Sequence, residues 1–123
     1  MQDIVGVLIE KDGKILLVQE KKAEVYGLWN LPAGHRDELE SEKETAIREG
    51  YEETGFNLSI GAKLGTFPLK GNKQMHVYEA EIISGQINFD KDELLDVRWF
   101  NKDDVRNLNL REGFKGFFSV LLK

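Results

Sequence analysis

The sequence contains no cysteine. That removes a disulfide framework, a cysteine-based zinc site and a thiol nucleophile together. No apolar stretch approaches the ~20 residues a membrane-spanning helix needs. The opening Met1-Gln2-Asp3 lacks the basic region and apolar run of a signal peptide. The expected location is therefore the cytoplasm, with no membrane partner. Positive charge is also short: 17 Lys and Arg stand against 22 Asp and Glu, for a formal net charge of -5. This argues against a nucleic acid polymer as partner, because backbone phosphates demand a basic surface. A nucleotide is not excluded, since a bound cation reverses the local field of an acidic pocket.

What is present is the composition of an ordinary globular chain. Its 123 residues are 41% hydrophobic and 32% charged, enough to bury a core without cross-links. One domain over residues 1–123 is expected, with no repeat, low-complexity tract or linker. Ile4 to Glu10 and Lys14 to Glu20 are β-rich runs, and Lys11-Asp12-Gly13 between them reads as a hairpin turn. Lys21 to Leu28 is a polar loop. Trp29 to Leu31 is a short strand that Pro32 ends. Leu58 to Leu69, Gln74 to Ile83 and Val97 to Phe100 are further strands, and Lys102 to Leu108 is a short helix. Phe114, Phe117, Phe118 and Leu121 recur at helical spacing, which predicts an amphipathic helix packed on a sheet. Strands and helices in this order give a mixed sheet with helices on its faces.

The clearest element lies between Ser41 and Gly55. Ser41 is a good N-cap, Glu44 completes a capping box, and Gly55 suits the C′ position. On a helical wheel Ala46, Ile47, Gly50 and Thr54 form the side that faces a sheet. Glu49, Glu52 and Glu53 gather beside it at spacings i, i+3 and i+4, with Glu49 and Glu53 nearer the apolar side. Like charges at this spacing destabilise a helix by a few tenths of a kcal/mol. The C-terminal end of the helix dipole disfavours them further. A divalent cation offsets both effects, and oxygen ligands without cysteine suit magnesium or manganese. Taken alone, three glutamates fit a solvated acidic face better, because such faces are common.

The flanking residues change that balance. The stretch GHRDELESEKETAIREGYEETGF, from Gly34 to Phe56, resembles the Nudix box of the Nudix hydrolases. Gly34, Glu40, Arg48, Glu49, Glu52, Glu53 and Gly55 all stand at the signature spacings. Three positions depart from the usual pattern. Gly50 replaces an aliphatic residue, Ala33 stands where many members have glycine, and Glu38-Leu39 replaces a Pro-Gly. The run Leu31-Pro32-Ala33-Gly34-His35 is similar to a branch that includes phosphatases of nucleoside di- and triphosphates and of a thiamine-precursor pyrophosphate. The resemblance implies an α/β/α sandwich around a central mixed sheet.

It also implies an enzyme that cleaves a phosphoanhydride with metal-activated water. The metal, Mg2+ with Mn2+ as the alternative, is expected on Glu49, Glu52, Glu53 and the backbone carbonyl of Ala33. It would neutralise phosphate charge and help generate hydroxide. The general base is Glu49 or Glu53, with Asp90, Asp92, Glu93 and Asp96 available in a later loop. Arg48 holds the glutamates in place, through Glu40, and Gly34 permits the turn that aims the preceding carbonyl. Arg36, Lys22 and Lys21 are possible phosphate contacts, and equally solvated loop residues; His35 reads first as a polar loop residue, with substrate contact as the alternative. Tyr26, Trp29 and Tyr78 are assigned to core or rim packing, and His76 to packing or the surface. The substrate is expected to be a small nucleoside phosphate or related diphosphate, and the chain a monomer or homodimer. A catalytically silent nucleotide-binding module and an acidic interaction domain are the competing readings.

Overall fold

The computed structural model describes residues 2–122. Strand β1 (Gln2–Lys11) turns back into β2 (Lys14–Glu20) through Asp12 and Gly13, both with positive φ, at 53° and 77°. That is the backbone a two-residue hairpin needs, so the expected turn is present. After a 3-10 turn at Ala23–Val25 come β3 (Trp29–Asn30) and β4 (Ala33–His35). Helix α1 spans Glu42–Thr54, followed by β5 (Phe56–Leu69), β6 (Lys73–Gly85) and β7 (Leu94–Asn101). The chain finishes with 3-10 turns at Lys102–Asn107 and Glu112–Phe114 and helix α2 (Lys115–Leu121).

The strands run in the order β3-β2-β1-β6-β5, with β4 paired to β1 and β7 to β2. β1 and β6 are parallel, whereas the other pairs are antiparallel. The sheet is therefore mixed, as expected. Alternation along the strands divides the core in two. Val5, Val7, Ile9, Leu16 and Val18 pack with Ala46 on the α1 side. Leu8, Ile15 and Leu17 pack with Phe114, Phe117 and Phe118 on the α2 side. The C-terminal aromatic residues thus cover the sheet. No described helix is long and apolar enough to cross a membrane.

Several boundaries differ from expectation. β4 is an added strand: Pro32 interrupts the chain but does not end its pairing, because its carbonyl accepts from Val7 N–H at 3.0 Å. β7 begins at Leu94, three residues before Val97. The segment expected as a helix over Lys102 to Leu108 is a 3-10 turn. Ile47, placed on the packed side by the wheel, is 46% exposed; Thr45 is buried in its stead. Tyr26 is likewise exposed at 62%, not packed. His76 and Tyr78 are buried in a polar network on the sheet. His76 Nε2 meets Asp3 at 3.1 Å, and Tyr78 donates to Glu42 at 2.7 Å.

Candidate active site

The site is built from the inward side of α1 laid against β4. Both ends of α1 are fixed by the residues that marked them in the sequence. Ser41 Oγ accepts from Glu44 N–H at 3.1 Å and the Glu44 carboxylate accepts from Ser41 N–H at 2.9 Å. Gly55 closes the helix with φ at 86°. Gly50 explains how close the helix lies to the sheet. A Cβ there would run into Leu58 of β5, so an aliphatic residue would push α1 away.

That close seat turns Glu49 and Glu53 inward and leaves Glu52 exposed. The Glu49 carboxyl group lies against the backbone of Gly34, in space that any Cβ at residue 34 would fill. Glu53 Oε1 accepts from Ala33 N–H at 2.8 Å. Burial pushes the Glu53 carboxyl up to about 8; the Ala33 hydrogen bond opposes this, and the nearby Glu20, Glu49 and Glu52 charges add to it. Burial raises Glu49 as well, against the hydrogen bond from Arg48. Burial is the largest cause of both shifts.

Arg48 ties the rim together. Its Nε and Nη2 bind the two Glu40 oxygens at 2.7 and 2.8 Å, and Nη1 reaches Glu49 at 2.6 Å. Nη2 also donates to the His35 carbonyl at 3.1 Å, fixing α1 to the end of β4. The forked pairing holds the Glu40 carboxyl at about 2. This is the pairing of Arg48 with Glu40 that the sequence led us to expect.

The glutamates form one wall of a cleft of about 1300 Å³. Ala33, Gly34, His35, Arg48, Glu49, Glu52 and Glu53 all line it, and so does Lys22. Arg36 does not: its Nε is drawn to Asp3 at 3.3 Å and Nη1 to the Glu40 carbonyl at 3.0 Å. Lys21 is turned to the Lys91 carbonyl at 2.8 Å. Of the later acidic residues, Asp90 and Glu93 reach the cleft, while Asp96 pairs with Arg98 at 2.6 Å. Glu40 and Gly55 act from outside the cleft, by holding Arg48 and by ending α1. Lys70, Lys73 and Arg111 bring positive charge to the cleft lining. The His35 ring sits toward that side, where burial and then the charges of Lys73, Lys22 and Arg111 lower its pKa.

Among the described residues, no three Asp, Glu or His side chains stand in the arrangement of a metal-ligand group. The hydrogen bonds give the reason: Arg48 occupies Glu49, and Glu53 is turned to the Ala33 amide. Ala33 contacts the glutamates through its N–H, where the sequence reading had invoked its carbonyl. The donor set nonetheless suits a hard divalent cation. It is all oxygen, and it gathers the Glu49 and Glu53 carboxyl groups beside the Ala33–Gly34 backbone. The cleft also takes in Glu20, Asn30, Lys70, Lys73 and Arg111, which no sequence motif marks. The Glu20–Arg111 ion pair spans 91 residues, which no local pattern reveals.

The chain is similar to known proteins in sequence and fold. A family profile, the NUDIX domain, matches residues 1–120. The chain is 35% identical over 94 residues to a Bacillus subtilis (strain 168) protein named "Putative 8-oxo-dGTP diphosphatase", covering 76% of this chain and 61% of that protein. It is 37% identical over 62 residues to the CTP pyrophosphohydrolase of Escherichia coli (strain K12), covering 50% of this chain and 46% of that one. The matched stretches thus span less than two thirds of these relatives. A NUDIX hydrolase from Nitrosomonas europaea superposes with a TM-score of 0.83 at 23% identity, over 97% of this chain and 86% of that one. At that identity the likeness is one of fold. With the family profile spanning nearly the whole sequence, the chain belongs to the NUDIX family.

Proposed function

We propose that this chain is a metal-dependent pyrophosphohydrolase that cleaves the phosphoanhydride of a nucleoside di- or triphosphate. The observation that carries the reading is Glu53. It is a half-buried carboxylate crowded by the charges of Glu20, Glu49 and Glu52, with the Ala33 N–H hydrogen-bonded to it. Folding tolerates such crowding of negative charge where a cation completes it. Glu49, Glu52, Glu53 and the Ala33–Gly34 backbone would hold that cation, Mg2+ or in its place Mn2+. When bound, it supplies charge neutralisation at the phosphates and acidifies water.

The protein's own groups do the remaining work. The polyphosphate lies between the glutamate wall and the basic side formed by Lys22, Lys73 and Arg111. Arg48 keeps Glu49 aimed at the cleft while Glu40 holds Arg48. Glu49 or Glu53 takes the proton of the attacking water, and Asp90 and Glu93 line the cleft as the nearest alternatives. Positioning and charge stabilisation dominate catalysis of this kind.

The test is a panel of nucleoside phosphates, sugar nucleotides and cofactor pyrophosphates assayed with Mg2+ and with Mn2+. Turnover that requires metal and is lost in Glu49→Gln and Glu53→Gln is the expected result. Full activity in both variants would overturn the assignment. Tight, metal-independent nucleotide binding without turnover would favour a silent binding module.

A further inference from the structure

The loop over residues 36–41 joins β4 to α1 and carries Glu40, which holds Arg48. This loop has no apolar anchor, because its one large hydrophobic side chain, Leu39, is 98% exposed. Polar contacts must therefore set where Glu40 lies. Some are local. Glu40 N–H donates to the Asp37 carbonyl at 3.0 Å, Asp37 N–H donates to Glu40 Oε1 at 3.2 Å, and Thr45 Oγ1 donates to the same oxygen at 3.1 Å. The others come from Arg36. Its Nη1 donates to the Glu40 carbonyl at 3.0 Å and, at 3.4 Å, to that of Asp37. One guanidinium group thus gathers both ends of the turn.

Arg36 is itself held to the sheet. The register that pairs Ile4 with His35 brings Asp3 beside Arg36, where Arg36 N–H donates to the Asp3 carbonyl at 3.0 Å. Arg36 Nε and Nη2 both meet Asp3 Oδ2, each at 3.3 Å. The other carboxylate oxygen, Oδ1, lies 3.1 Å from His76 Nε2. A carboxylate only accepts, so that ring nitrogen carries the hydrogen. Asp3 stands two residues from Val5, which pairs with His76 in the parallel ladder. Alternation therefore puts Asp3, Val5 and His76 on one face of the sheet. His76 is buried, and Thr66 Oγ1 lies 3.2 Å from its Nδ1. A fixed ring on β6 is thus one end of a chain of contacts. It runs through Asp3 and Arg36 to Glu40, then through Arg48 to Glu49 at the cleft.

We propose that Arg36, anchored on Asp3, is a positioning residue for the glutamate wall: it sets the place of Glu40 and, through Arg48, the aim of Glu49. It touches no phosphate. Its positive charge is spent on Asp3 and on two loop carbonyls, away from the cleft lining. Asp3 and His76 serve the same end from the sheet. The proposal rests on the pyrophosphohydrolase reading for what Glu49 does, and on the contacts alone for how Glu49 is held.

Two variants on different elements, Arg36→Ala and Asp3→Ala, test this, each checked for folding by a thermal scan. The first readout needs no turnover. It is the Arg48 Nε–H seen by NMR, assigned by its loss in Arg48→Lys. Bonded to Glu40, this hydrogen should exchange slowly with water, and in both variants exchange should speed by about 10-fold or more. Unchanged exchange in both would overturn the proposal. The second readout is steady-state kinetics with Mg2+ on the nucleotide that the substrate panel selects. In both variants kcat should fall by about 10-fold while KM stays within about twofold. A phosphate contact by Arg36 gives the opposite split, a raised KM with kcat kept, and that result would sink the positioning role. The third is a double-mutant cycle. On a Glu40→Gln background, Arg36→Ala should lower kcat by less than about twofold, because the link it acts through is already broken. Losses that multiply independently would mean that Arg36 does not act through Glu40. Absence of turnover on every substrate would remove the hydrolase reading, and the exchange of the Arg48 Nε–H would still decide whether Arg36 places Arg48.

Discussion

Adding one methyl group at residue 34 puts carbon where the Glu49 carboxyl group lies. Gly34→Ala should therefore displace Glu49 and leave the fold intact, since β4 is short and lies beside the open cleft. A misplacement of about 1 Å at a reacting group costs on the order of 100-fold. We expect kcat of Gly34→Ala to fall by that order while the melting temperature holds, measured by steady-state kinetics beside a thermal scan. Glu53→Gln makes the complementary case. The amide can still accept from Ala33 N–H, but it brings no charge into the buried wall. Without metal the variant should melt no lower than the parent, and its activity should be lost. A variant that unfolds without metal would show that Glu53 has a structural role instead. Residues such as these were legible in the sequence because the box fixes their spacing from β4 through helix α1. Glu20, Asn30 and Arg111 were not, because their relation exists only once β2, β3 and the segment after Lys102–Asn107 are packed together.

Helix α1 shows where local rules succeed and where they stop. Its ends follow from Ser41, Glu44 and Gly55 alone, since capping is chemistry between near neighbours. Ser41→Ala should cost about 1 kcal/mol in urea unfolding. Its packed side was less well read, because hydrophobicity was taken to decide it. The observed interface is made of small residues, Ala46 and Gly50 with Thr45 and Thr54, and the larger Ile47 faces outward. Distance to the sheet is the controlling variable here. Gly50→Ala tests that directly. Helix propensity alone stabilises alanine by about 1 kcal/mol over glycine, while forcing a methyl group into a filled interface costs about 1–3 kcal/mol. With Leu58 in the way, crowding should win. The variant is expected to be less stable than the parent, and a gain in urea midpoint would refute the close-packing account. Strand β4 was missed for a related reason: proline was read as a terminator, although its carbonyl remains free to pair.

At the scale of the molecule, charge links stability to conditions. Arg48 holds the Glu40 carboxyl at about 2, below its ordinary 4.5, and His76 and then Arg36 hold Asp3 low through hydrogen bonds. Carboxylates depressed in the fold favour it fully above the ordinary value. That support is lost as pH falls from 4.5 toward about 2. Glu40→Gln should flatten the acid limb of the stability profile in that window, followed by urea unfolding at stepped pH. The cation side runs on mass action. A divalent ion that binds the folded glutamates should raise Tm with the logarithm of its concentration. Glu49→Gln should shrink that rise, and an unchanged slope would count against the site. The mixed sheet was legible as a class, but its order was not, because β1 pairs in parallel with β6 across a wide gap in sequence. Pairings of that kind form slowly. The main-chain pairing of Trp29 with residues 109–111 adds an order of assembly. In chain order the α1 glutamates come well before Arg111, which completes the cleft lining. Until then Trp29, Leu17 and Ile15 lack the Phe114, Phe117 and Phe118 side chains that cover them. The nascent protein thus passes through a stage with exposed apolar surface and half a cleft, which is when chaperone contact matters most.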